Sequence, residues 1–237
     1  MNEATTPPTD GLAVVIGASG TIGDALATQL ENSGQYARVL RLSRSTTPAV
    51  DLTDESTIET AAAEAKATGL PVRMVIDATG FLHDEQQQPE KTWRHLNAEN
   101  LARSFALNAT GPALVMKHFL PLFPREGRSV FATLSARAGS LEENRIGGWY
   151  GYRASKAALN QLVRSAAAEL QRKSKESICV SLHPGHVESS LSAPFGSGGN
   201  PTFTPEEAAQ KLLVVLDHLT PMQSGGFFDH DGLAIPY

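Results

Sequence analysis

Cysteine is almost missing from this 237-residue chain: only Cys179 occurs, inside the apolar run Ile178-Cys179-Val180. One cysteine excludes an internal disulfide and offers no metal-site spacing, so Cys179 reads as a buried strand residue. Long apolar runs are missing too. No uninterrupted stretch reaches the ~18 residues that a membrane helix needs. The stretch Met1 to Pro8 lacks the basic and apolar parts of a signal peptide. An excess of positive charge is missing: 20 Lys and Arg stand against 25 Asp and Glu, a net charge of −5, which gives no electrostatic case for nucleic acid or an anionic membrane. Repeats and linkers are absent. The expectation is a soluble, cytoplasmic protein with a flexible tail over residues 1–10 and a single domain over 11–237. Its 41% hydrophobic and 19% charged content is ordinary for a globular protein.

Short apolar runs alternate with helical patterns. Leu12 to Ile16 reads as a buried strand. Gly17-Ala18-Ser19-Gly20-Thr21-Ile22-Gly23 follows, then a helical stretch from Asp24 to Asn32, then a second strand from Ala37 to Leu42. Strand, glycine turn, helix and strand make the dinucleotide-binding unit. Glycines let the backbone approach a pyrophosphate, and the helix N-terminus supplies free N–H groups. Further on, Thr53 is a plausible cap for the helix Glu55 to Ala67. Val72 to Ile76 is a strand ending in Asp77-Ala78-Thr79-Gly80. Phe81 to Trp93 reads as a surface loop, with His83 and His95 as solvent-facing bystanders. Asn97 to Leu120 is helical in pattern and is ended by Pro121 and Pro124. Ser129 to Leu134 is a strand leading to Ser135-Ala136-Arg137-Ala138-Gly139. Ile178 to Leu182 is another, leading to His183-Pro184-Gly185-His186-Val187. A loop from Ser192 to Pro201 precedes a helix from Glu206 to Leu219, and the last strand is near Phe227-Phe228. This alternation predicts an α/β fold built on one doubly wound parallel sheet. Ligands of such sheets bind beyond the C-terminal strand ends. The motifs at Gly17, Ser43, Asp77, Ser135 and Pro184 all fall there.

Two positions carry chemistry. In Gly148-Trp149-Tyr150-Gly151-Tyr152-Arg153-Ala154-Ser155-Lys156 the spacing puts Tyr152 and Lys156 on one helix face. An ammonium beside a phenol favours the phenolate and lowers its pKa, and a tuned tyrosine can give or take a proton. The bland alternative is an amphipathic helix whose tyrosine happens to lie near a lysine. The second position is Ser43-Arg44. An NAD site would place a carboxylate about ~20 residues past the glycines. Here that place holds Ser43, and Arg44 follows. A guanidinium pairs with a 2′-phosphate, so the pattern favours NADP(H), unless Arg44 simply faces water.

On these motifs the chain resembles the short-chain dehydrogenase/reductase family over essentially its full length, in the C-factor and sniffer-like branch. The strings that carry the likeness are Gly-Gly-Trp-Tyr-x-Tyr-Arg-Ala-Ser-Lys-Ala-Ala-Leu-Asn and the ending Asp229-His230-Asp231-Gly232-Leu233-Ala234-Ile235-Pro236. The resemblance implies a Rossmann fold and a tetrad. Tyr152 would be acid/base, and Lys156 would lower its pKa and bind the nicotinamide ribose. A serine would orient the substrate oxygen, and Asn108 would hold a proton-relay water. It also implies cofactor contacts at Gly17, Ser19, Gly20, Thr21, Ile22 and Gly23, at Asp51 and Leu52 for the adenine, and at Ala78, Thr79 and Gly80 for the ribose. Val187 falls at the nicotinamide, with Pro184 in the same cofactor-binding set. Hydride would pass between NADP(H) and a small carbonyl or alcohol substrate. A homodimer or homotetramer is the family's common assembly.

Three departures stand out. The middle glycine is Gly20, giving Gly-x-x-Gly-x-x-Gly where Gly-x-x-x-Gly-x-Gly is commonest. Asp77 to Gly80 lacks the usual leading asparagines. The family's second serine before x-x-Gly is Ala136 here, so Ser135 either swings into the role or the serine function is weakened. That missing serine sustains a competing reading: a cofactor-binding regulatory or signalling protein that kept the fold and lost turnover.

Overall fold

The computed structural model describes residues 11–196, 198–199 and 201–237. The expected tail over 1–10 lies outside them. Among the described residues, eight strands and six α-helices follow the alternation expected. They are β1 (Leu12–Ile16), α1 (Thr21–Ser33), β2 (Arg38–Leu42), α2 (Glu55–Ala67), β3 (Val72–Asp77), α3 (Ala98–Phe105) and α4 (Gly111–Phe119). Then come β4 (Val130–Leu134), α5 (Tyr150–Lys173), β5 (Ile178–His183), β6 (His186–Val187), β7 (Thr202–Phe203), α6 (Pro205–His218) and β8 (Phe227–Asp229).

Six strands form one sheet in the order β2-β1-β3-β4-β5-β8, and every pairing is parallel. The chain leaves β1 for β2 on one side and returns to β3 on the other. That reversal opens a crevice beyond the strand ends, between β1 and β3. β1 is buried along its whole length, yet its residues alternate between two cores. Val14 and Ile16 pack with residues of α2, α4 and α5 on one face. Ala13 and Val15 pack with α1 and α6 on the other. A strand covered on both faces reads as a continuous apolar run. Phe119 and Phe131 are fully buried on the α4–α5 face, and truncating either to alanine should cost about 3–5 kcal/mol.

Three local expectations are corrected, and one element is unforeseen. Thr53 does not cap α2. Asp54 does, accepting from the amide of Ser56, while the Thr53 hydroxyl donates to Asp51. The helix expected over Asn97 to Leu120 is interrupted by a π turn at Ala106–Thr110, where the amide of Gly111 reaches back to Ala106. Pro112 has no N–H to give the carbonyl of Asn108, four residues earlier, and a π turn absorbs that defect. The segment after Gly80 is not simply a surface loop, because Leu82, Gln87 and Glu90 are buried in it. A two-residue ladder, β6 with β7, ties the ends of the 188–201 loop together. Two residues carry too little periodicity to be read from sequence.

Candidate active site

The glycine turn between β1 and α1 is built as expected. Gly17 has φ +81°, a conformation that glycine adopts at no steric cost. A Cβ on Gly23 would fall 2.2 Å from the Gly17 carbonyl oxygen, so only glycine lets α1 start this close to the turn. Gly20 is the N-cap and brings no side-chain hydrogen bond. The first-turn amides of Thr21 and Ile22 therefore have no intrahelical acceptor and suit an anion.

A cleft of about 460 Å³ lies against this turn. It brings together Gly17, Ser19, Gly20, Ser43, Arg44, Asp51, Leu52, Ala78, Thr79 and Gly80. Most of the expected cofactor residues thus meet in one place. Ser43 is buried, and its hydroxyl is engaged with Ser45. Arg44 is exposed at the rim. Arg41, three residues earlier, is spent on Asp24 and Glu31 at 2.7 Å each. Arg44 remains as the cation that β2 delivers to the cleft. Asp51 is held below the usual carboxylate range by the Thr53 hydroxyl and amide, with a smaller pull from Arg44.

Tyr152, Lys156, Asn108, Ser135, Pro184 and Val187 do not line that cleft. Lys156 adjoins it at Gly80, where an added Cβ would lie 3.7 Å from Lys156 Nζ. Lys156 is buried and donates to the Leu134 carbonyl at 2.7 Å. Its Nζ is 6.0 Å from the centre of the Tyr152 ring. The expected lowering of the phenol is not found. Burial pushes Tyr152 up to about 12. Burial likewise pulls Lys156 down to about 8, with Asp77 opposing. The ammonium lies over the ring, and its hydrogen bond goes to the strand carbonyl, so desolvation wins. A phenol held neutral is an acid with a proton to give.

Asn108 is fully buried inside the π turn. Its amide exchanges two hydrogen bonds with the backbone of Phe81, at 2.8 and 2.7 Å, and donates to Ser155. That clamps the chain after β3 against α5. Ser135 is placed differently from expectation. It is buried, and its hydroxyl donates to Asn160 Oδ1 at 2.7 Å. The proton meant for a substrate oxygen goes to α5 instead. Neighbouring residues of an extended segment point to opposite sides, so the partly exposed Ala136 occupies the other direction. Val187 is buried on β6, and Pro184 is half-buried between β5 and β6.

Three further residues shape this corner, and their sequence surroundings do not mark them as site residues. Glu90 holds the start of α5, accepting the amide of Gly151 at 3.1 Å on its carboxylate and the amide of Trp149 on its carbonyl. Trp149 has φ +51° and makes an edge contact with Tyr152 at 6.1 Å. Its other neighbour is Phe195, 4.9 Å away, on the loop after β6. His83 is no bystander: it meets Phe195 edge-on at 5.2 Å, contacts the Leu191 carbonyl and lines the cleft. Only His95 faces solvent as expected.

Comparison with known proteins agrees with this geometry. The family model for short chain dehydrogenase matches residues 11–198. Over 229 residues the chain is 31% identical to 1-hydroxy-2-glutathionyl-2-methyl-3-butene dehydrogenase of Rhodococcus sp. (strain AD45), covering 92% of this chain and 96% of that one. It is 37% identical over 138 residues to C-signal of Myxococcus xanthus, 58% of this chain and 79% of that one. Among solved structures, the NADPH-bound carbonyl reductase from chicken fatty liver superposes with a TM-score of 0.82 at 22% identity, over 97% of this chain and 100% of that one. The carbonyl reductase Sniffer of D. melanogaster does so at 0.81 and 21%, over 96% and 99%. Fold, glycine turn and matched length leave one conclusion: the chain belongs to the short chain dehydrogenase family.

Proposed function

We propose that this chain is an NADP(H)-dependent oxidoreductase of small carbonyl or alcohol compounds, with Tyr152 as its acid/base. The observation that carries this reading is the pairing of Tyr152 with Lys156 at the Gly80 end of a glycine-floored cleft. The residues fit a dinucleotide. The amides of Thr21 and Ile22 would face the pyrophosphate, and Arg44 the 2′-phosphate. Asp51 and Leu52 would flank the adenine, and Ala78 to Gly80 the ribose. Lys156 would hold the nicotinamide ribose beside Pro184 and Val187. The cofactor would supply or accept the hydride.

The chain's own part is proton and position. In reduction Tyr152 gives its phenolic proton to the oxygen that becomes the alcohol; in oxidation it takes that proton back. Lys156 keeps a positive charge beside the phenol and so favours the phenolate left behind. The carbonyl of Asn108 lacks the α-helical donor that Pro112 cannot supply, and it is the atom that would hold a relay water. Ser135 supports α5 through Asn160, which leaves Tyr152 as the hydroxyl that orients substrate. The Rhodococcus relative, aligned over nearly the whole chain, is named a dehydrogenase, which supports the reading. A second copy would dock on the α4–α5 face, where Ala113, Leu120 and Ala166 line a groove.

One observation favours a second reading. Ala136 and the commitment of Ser135 to Asn160 remove a donor from the reacting end. A regulatory chain that binds cofactor without turnover would tolerate this, and the C-signal relative is named a signal. NADPH oxidation over a panel of aldehydes, ketones and quinones separates the two. Turnover that Tyr152→Phe abolishes, with NADPH binding kept, supports the enzyme. No turnover on any compound, or full turnover by Tyr152→Phe, overturns it.

A further inference from the structure

The C-terminal edge of the sheet holds a second ionisable group beside the Tyr152 and Lys156 pair. Asp77 is the last residue of β3 and is completely buried. Three donors converge on its carboxylate: the Thr79 amide at 3.1 Å, the Thr79 hydroxyl at 2.6 Å and the Thr133 hydroxyl at 2.9 Å. An amide can only donate, and ~2.6 Å is the length of a charge-assisted O–H···O⁻ bond. This donor set suits an ionised carboxylate. Lys156 is 2% exposed, and its hydrogen bond goes to a neutral carbonyl, that of Leu134. A buried ammonium without a counter-charge is costly.

The two groups are framed by the same residues. Leu134 follows Thr133, which donates to Asp77. Gly80, which approaches Nζ, lies three residues past Asp77 in the turn that Thr79 ties to the carboxylate. We propose that Asp77 is the counter-charge of Lys156: a positioning residue that keeps the ammonium protonated at the dry end of the cleft and so sets the upper pH at which the site can grip a cofactor ribose. Its second half rests on the role given to Lys156 above.

The surroundings of Nζ agree. Tyr152 faces it from its own helix, the Leu134 carbonyl from β4, and Gly80 from the turn after β3. Among the described residues Asp77 is the charged group that acts on it, raising an ammonium that burial lowers. Burial raises the Asp77 carboxyl overall; the Thr79 and Thr133 hydrogen bonds oppose that rise, and Lys156 adds a smaller pull in the same direction. Asparagine at 77 would keep an acceptor for the Thr79 amide and lose the charge. The ammonium would then give up its proton at lower pH.

The test is a titration of the cofactor-free protein with ¹³C-labelled lysine, the Lys156 signal being assigned by its loss in Lys156→Arg. Asp77→Asn should move the Lys156 midpoint down by about one pH unit or more. An unchanged midpoint overturns the proposal. Thr133→Val removes one of the three donors and should move the midpoint the same way by less. If Asp77→Asn does not fold, an unchanged midpoint in Thr133→Val overturns it equally. NADPH affinity followed by fluorescence over the same range should fall off at lower pH in Asp77→Asn. A shifted lysine midpoint with an unshifted NADPH profile overturns the link to the cofactor. Neither readout needs turnover, so a chain that reduces no carbonyl would still pass or fail this test.

Discussion

Glu90 and Gly151 stand 61 positions apart and meet at the N-terminus of the helix that carries Tyr152, the carboxylate accepting the amide at 3.1 Å. That helix has no cap of its own, because Trp149 at the N-cap offers no side-chain hydrogen bond. Glu90 is 4% exposed, and its second carboxylate oxygen has no partner. A negative charge at this end also complements the helix dipole.

Glu90→Ala would leave a buried N–H without an acceptor. The expected loss of stability is about 1–3 kcal/mol. Glu90→Gln keeps an oxygen and should lose much less. Urea unfolding of the two variants checks this. Equal losses would show that the carboxylate is not acting as a cap.

Arg44 should decide between the two nicotinamide cofactors. It is the cation that β2 brings to the cleft, and a 2′-phosphate is the group that tells the cofactors apart. Removing one charge-assisted contact costs on the order of 1.5–3 kcal/mol, or roughly ten- to a hundredfold in affinity. Arg44→Ala should weaken NADPH by that much and leave NADH unchanged. Wild-type binding of NADH as tight as that of NADPH would sink the idea.

His183 makes stability depend on pH. Burial first, then Arg137 and His230, push its imidazole down from 6.5 to about 4, against a pull from Asp229. Between those values the unfolded chain binds a proton that the folded chain refuses. Stability from this group is therefore full above about pH 6.5 and declines as pH falls toward 4. The loss at the bottom of the window is on the order of 3 kcal/mol at most. Urea midpoints at pH 7 and pH 4.5 should lie closer together in His183→Asn than in wild type. Identical separations would show that His183 is not the group responsible.

Much of the fold is readable because its signals are local. Leu12 to Ile16 is apolar throughout, Gly17 to Gly23 has the turn glycines, and Tyr152 and Lys156 are one helical turn apart. Each of these needs only a few adjoining residues. What escapes reading depends on distant partners. Nothing near Glu90 says that it will cap a helix 61 residues on. Asp54 and Thr53 are both capping residue types, and only the helix start chooses between them. His83 looks like a loop histidine until Phe195, far along the chain, lies against it. The phenol's upward shift is of the same kind, since the Tyr-x-x-x-Lys spacing reports the charge and not the burial that outweighs it. The π turn had a visible sign, Pro112 four residues after Asn108, which a search for helical periodicity passes over.

Ser135 and Ala136 give the last prediction. Resemblance assigns a catalytic serine to this corner, and Ser135 carries the hydroxyl there. Its proton goes to Asn160 Oδ1, and Asn160 Nδ2 is already buried without a partner. Ser135→Ala would leave both ends of that amide unsatisfied, so the expected cost is to stability, about 1–3 kcal/mol. Turnover should fall by less than about tenfold, because the hydroxyl does not face substrate. A donor that stabilises developing charge is typically worth ~10²–10³ in turnover. A loss on that scale in Ser135→Ala, with stability unchanged, would show that the side chain swings from Asn160 to the substrate. Ala136→Ser makes the complementary case. It places a hydroxyl on the other side of the strand end, at the family's serine position, on a residue that is only partly buried. Turnover should rise toward the value of one such donor. If Ala136→Ser folds, binds NADPH and gains nothing, the reacting oxygen does not lie at that corner, and Tyr152 alone fixes where it is held.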